Sequence, residues 1–149
     1  MDATDLITYF RNYCKDNNIY FAPGETHYAN YLGDIKLYEA YEMILCCDLR
    51  MAPEFGEDGI QSVVYNGTIS LGRKREECTE SNLDEVFLDK YDNRLKSLTD
   101  ILLGMFQSMI CQDEIDIVRC DIGYILNSLD VNIDFVSANV AIRVPYIEV

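Results

Sequence analysis

YEMILCCDLRMAPEFGEDGIQSVVYNGTISLG, residues 41–72, decides the fold. In its first part the odd positions Tyr41, Met43, Leu45, Cys47, Leu49 and Met51 are all apolar. In its last part Val63, Tyr65, Gly67, Ile69 and Leu71 share one face, opposite Ser62, Asn66, Thr68 and Ser70. Successive side chains of an extended strand point to opposite faces, so this period of two predicts two strands, each with one buried face. The intervening APEFGEDG, residues 52–59, is rich in turn residues and contains Asp58-Gly59. The stretch predicts an antiparallel hairpin, projecting over about 41–73, with Phe55 in its connector.

Outward from the hairpin the rhythm changes. Residues 4–17 carry Leu6, Tyr9, Phe10, Tyr13 and Cys14 at the spacing of one helical face, with Thr4 or Asp2 as cap and Asn17-Asn18 as the stop. IYFAPGE follows as a short extended piece, and 26–40 is tyrosine-rich and loop-like. On the other side, Phe87, Tyr91, Leu95, Leu98, Leu102, Met105, Phe106 and Met109 form a stripe that predicts a long helix over 83–110, capped by Ser81. EIDIVRCDIGYIL and VNIDFVSANVAIRV read as a second hairpin. Within the last of these the apolar residues shift from odd (Val131, Ile133, Phe135) to even positions (Val136 through Val144). A one-residue shift turns a strand over, so a β-bulge or sharp bend is expected within 135–139. The order helix, short strand, hairpin, long helix, hairpin is that of an α+β domain. An antiparallel sheet from two hairpins would carry the N-terminal and long helices, in a single domain over 1–149.

Composition limits the chemistry. With 26 acidic and 12 basic residues the formal charge is −14, too negative for phosphate-neutralising nucleic-acid binding. No apolar run has membrane-spanning length, and the N-terminus lacks a basic signal-peptide start, so synthesis in a reducing cytoplasm is expected. The six cysteines include no C-x-x-C pair, and His27 is the sole histidine. Reduced thiols packed as small core residues are expected rather than a zinc site. The acidic run 112–116 lacks the glycine and spacing of a calcium loop and reads as a helix-to-strand turn. No nucleophile motif accompanies His27, and no phosphate-binding glycine loop is present. The chain is expected to be no enzyme and to need no cofactor. Asn66-Gly67-Thr68 matches a glycosylation sequon but reads as strand chemistry. The basic run Arg73-Lys74-Arg75 has two readings: local charge balance, or a protruding loop that docks on an acidic patch of another subunit.

The element order, together with TESNLDEVFLDKYDNRLKSL entering the long helix and LNSLDVNIDFVSANVAIRV with its N-x-x-D-x-N turn before the last strand, resembles the neck and tail-completion proteins of tailed bacteriophages. These include tail terminators and head–tail joining ring proteins. The resemblance spans about residues 4–144 and is diffuse rather than carried by one motif. It implies a structural virion protein without catalytic residues. Such a protein forms a homo-oligomeric ring, hexameric in preference to dodecameric, between portal and tail, with an acidic channel for DNA passage. Its partners would be further copies of itself and adjoining portal, neck or tail proteins, with no specific nucleic-acid contact and no membrane. Arg73, Lys74, Arg75, Phe55, Val140 and Ile142 are the expected interface residues. A different reading is a cytosolic acidic regulatory or subunit protein that binds a protein partner without catalysis.

Overall fold

The computed structural model describes residues 5–23, 41, 43–74, 91–113, 115–125 and 133–146. Among these residues two helices and five strands follow one another as α1 (Asp5–Asp16), β1 (Ile19–Pro23), β2 (Met43–Gly56), β3 (Gly59–Lys74), a π-helical turn (Tyr91–Leu95) running into α2 (Lys96–Asp113), β4 (Asp116–Ile125) and β5 (Ile133–Pro145). The strands form one sheet in the order β1-β2-β3-β5-β4.

The fold is α+β, but its sheet is mixed. β2–β3, β3–β5 and β4–β5 are antiparallel, whereas β1 runs parallel to β2, Ile19 opposite Met43 through Pro23 opposite Cys47. The expected all-antiparallel sheet needed only the two hairpins and gave the short strand no neighbour. A parallel neighbour requires the chain to return to the same end, and the connection between Pro23 and Met43 is long enough for that.

One face of the sheet carries the main core. Leu45 and Cys47 of β2, Val63, Tyr65, Ile69 and Leu71 of β3, and Val136, Ala138, Val140, Ile142 and Val144 of β5 pack against Leu6, Phe10 and Cys14 of α1. The same cluster takes Leu95 from the π-helical turn and Leu98, Leu102, Met105, Phe106 and Met109 from α2. Each large apolar side chain so buried contributes about 1.5–3 kcal/mol relative to exposure, which is what holds both helices to the sheet. α1 stops as the sequence implies. The Asn17 amide N–H and side-chain Nδ2 both donate to the Tyr13 carbonyl, and Asn18 takes the left-handed conformation (φ 54°) that closes helix ends. Thr99 returns its hydroxyl to the Leu95 carbonyl at 2.7 Å, where the π-helical turn passes into α2. The expected cap Ser81 and the first turns of the long helix, 83–90, lie outside the described residues.

β5 contains no bulge. It pairs with β3 without interruption from Ile133 opposite Lys74 to Pro145 opposite Ser62. The apparent phase shift has another cause, since the strand is buried on both faces at one end. Its even residues face the main core, while Phe135 joins Ala22, Ile44 and Cys46 in a second cluster on the reverse face. Two packing environments are served by ordinary pleating, so no extra residue is needed. Register shifts occur instead in β4, between Ile117 and Arg119, and near the tip of the central hairpin, between Glu54 and Phe55. That hairpin is also less detached than expected, because β3 is held between β2 and β5 from Ser62 to Arg73. Its connector is strand nearly throughout, turning only at Glu57-Asp58, with Gly59 at φ 116°.

Candidate assembly surfaces

Beyond its second cluster, the reverse face of the sheet carries polar cross-strand pairs. Ser70 donates to Ser137 at 3.0 Å and Thr68 to Asn139 at 3.3 Å, cross-strand pairs joining β3 and β5. At the far end four strands are tied by one row. Ser62 and Arg143 both donate to Glu54 Oε1 at 2.7 Å, and Arg143 also reaches Asp116 at 3.3 Å. The hydrogen bonds from Arg143 and Ser62 lower the Glu54 pKa, and Glu54 in turn raises that of Arg143. Asp116 belongs to the acidic run 112–116, so its partner is a guanidinium.

The sheet ends at β4, whose one neighbour among the described residues is β5. Among the described residues nothing pairs with its outer backbone edge, and Val118, Ile122, Tyr124 and Ile125 are exposed along it. Val118, the extra residue of the register shift, is 52% exposed. The edge carries no lysine or proline, and its blunting features are the bulge at Val118 and the charges of Asp116, Arg119 and Asp121. The hairpin tip is the second uncovered apolar feature. Phe55 is 73% exposed and lies opposite Ile60, which is also exposed.

The expected interface residues separate on this scaffold. Phe55 is available. Val140 and Ile142 are wholly buried in the chain's own core and present no surface to a partner, a correction that follows from helix cover over the even face of β5. Arg73 is no part of a protruding loop. It pairs within the sheet opposite Met43 and Asp134, its guanidinium lies against the Met43 sulfur at 3.8 Å, and Asp134 is fully buried. Lys74 is the last residue of β3, and Arg75 lies outside the described residues.

Sequence reasoning overlooked a groove between α1 and β1. It encloses about 470 Å³ and is lined by Thr8, Arg11, Asn12 and Lys15 of the helix, by Asn18, and by Tyr20 and Tyr41, whose rings meet edge to face at 5.5 Å. The helix residues fall at the positions between its apolar stripe, which was the available signal.

Cys14, Cys46, Cys47, Cys111 and Cys120 are free thiols, and Cys78 lies outside the described residues. Burial pushes Cys14, Cys46 and Cys47 up to about 12, leaving them protonated and unreactive as nucleophiles. Among the described residues no group of three or more His, Cys, Asp or Glu side chains is arranged for a metal ion. No described helix is long and apolar enough to cross a membrane.

No family model matches the chain, and no curated protein or solved structure shows significant similarity to it.

Proposed function

We propose that this protein is a non-catalytic structural subunit that assembles with further copies of itself into a ring. The ring would be of the kind found at the head–tail junction or tail end of a tailed bacteriophage. The observation that carries this reading is the β4 edge. A ten-residue strand whose outer edge has no partner among the described residues, and which carries four exposed apolar side chains, invites strand addition from a neighbouring subunit. The phage setting rests on the sequence resemblance, with the element order of the described residues beside it. In that setting the ring is hexameric in preference to dodecameric, its neighbours are portal, neck or tail proteins, and its location is the virion.

The net charge of −14 per chain suits a conduit for DNA, because a negative wall repels phosphate. The experiment is light scattering coupled to size exclusion over a wide concentration range, with negative-stain micrographs of the same sample. Closed rings are expected. A protein that stays monomeric at high concentration, and in the presence of adjoining neck proteins, would instead fit an acidic binding partner and would end the ring reading.

A further inference from the structure

A chain of like-charged subunits needs some place where opposite charges meet. The groove between α1 and β1 has the composition for one side of such a contact. In a protein with more than twice as many acids as bases, its lining among the described residues holds two cations, Arg11 and Lys15, and no carboxylate. The two cations stand one helical turn apart on the exposed side of α1 and make no ion pair among the described residues. Two tyrosine rings and the ring of Phe21 supply an apolar, aromatic wall. Its volume of about 470 Å³ falls within the range of about 300–1,000 Å³ in which small ligands or a few peptide residues are held.

The hairpin tip has the complementary composition. Residues 51–61 contain Glu54, Glu57 and Asp58 and no cation. Phe55 stands out from it, the most exposed of the large apolar side chains described, beside exposed Glu57 and Asp58. An aromatic ring left in water beside two carboxylates is the form of an anchor residue with a charged rim.

We propose that the tip of one copy docks in the α1–β1 groove of the next, with Phe55 against Tyr20 and Tyr41 and with Glu57 and Asp58 facing Arg11 and Lys15. The contact cannot form within one chain. Tyr20 lies opposite Ile44, and Phe55 is eleven positions further along the same strand, about 36 Å away at the rise of an extended chain. The tip is held at that distance by its pairing in the sheet. Since the two surfaces differ, the contact is head to tail, the type that closes into a ring or continues as a filament. It uses neither β4 nor the Arg73 region, so it leaves the open edge for a further neighbour.

This inference rests on the assembly reading above, and the test separates the two. One variant carries Arg11→Glu with Lys15→Glu, a second carries Glu57→Lys with Asp58→Lys, and a third carries Phe55→Ala. All five positions are solvent-exposed, and circular dichroism melts check that each variant remains folded. Self-association measured by sedimentation velocity is expected to weaken at least about tenfold in each. Mixing the first two variants pairs an acidic groove with a basic tip and a basic groove with an acidic tip. The mixture is expected to regain assembly that neither has alone. If the wild type never associates, both the assembly reading and this contact are overturned. If the wild type associates and the variants match it, or if the mixture fails to recover, the contact is overturned and the assembly reading stands.

Discussion

Gly67 occupies the centre of β3 with φ 153°, and a Cβ added there would collide with the backbone carbonyl of Asp48 on β2. The sheet can relieve that collision only by parting two of its central strands. Gly67→Ala is therefore expected to cost about 2–4 kcal/mol in urea unfolding, well beyond the effect of an ordinary exposed strand substitution. The residue also reinterprets the sequon Asn66-Gly67-Thr68, whose glycine is required by a close backbone approach and whose threonine bonds Asn139. Glu54 yields a second prediction. Its folded pKa lies below its unfolded one, so its stabilising effect is present above the ordinary carboxylate range and is lost as pH falls through the folded value. Acid unfolding of Glu54→Gln should lack this contribution. Equal pH dependence of the variant and the parent below about pH 4.5 would show that the row from Glu54 through Arg143 to Asp116 adds nothing.

Among the elements, α2 tests the core and β4 tests the edge. Leu98 is completely buried between α2 and the sheet, so Leu98→Ala should lower stability by about 2–5 kcal/mol, measured by chemical denaturation. Val118→Lys places a charge on the open edge without touching the core. It should leave the melting curve unchanged and reduce assembly, as lysine on an edge strand disfavours further pairing. The α2 stripe, the α1 stripe and the two hairpins were legible because helix and strand periods depend on the core face alone. The partner of β1 was not legible, since parallel pairing depends on how a connection runs rather than on the residues paired. Nor was the double burial of β5. Phe135 and Val136 are both core residues on opposite faces, and sequence alone cannot distinguish that from a flipped strand. Among the site residues, Phe55 could be placed in a projecting connector, but a phenylalanine there more often folds back onto its own hairpin, so its exposure was not legible. The groove residues Arg11 and Lys15 read as plain helix surface, because their meaning comes from Tyr20 and Tyr41 across the gap. Arg73 misled for the converse reason, since a basic run gives no sign that its first member lies inside a sheet.

For the whole molecule the dominant property is charge. A field from −14 per chain, repeated around an assembly, should keep duplex DNA off the protein at physiological salt, and titration with labelled duplex should show no saturable binding. Charge reversal at Arg73 is a poor probe of such an assembly. A glutamate there would face buried Asp134 across the β3–β5 ladder and loosen the sheet before it loosened any contact between subunits.

The β3–β5 ladder has one more consequence, in time rather than in space. Each hairpin can zip from its own turn, but the seam between them joins residues far apart in the chain. Ser70 meets Ser137 across 67 positions, and Thr68 meets Asn139 across 71. Closing a loop of that length costs about 4 kcal/mol of chain entropy before any seam contact repays it. Hairpins form in about 1–10 μs, whereas topologies with such non-local pairing fold over milliseconds or longer. A newly made chain thus passes through an interval in which β3 and β5 each present a bare edge. The meeting of those two strands is the step expected to limit how fast the chain folds.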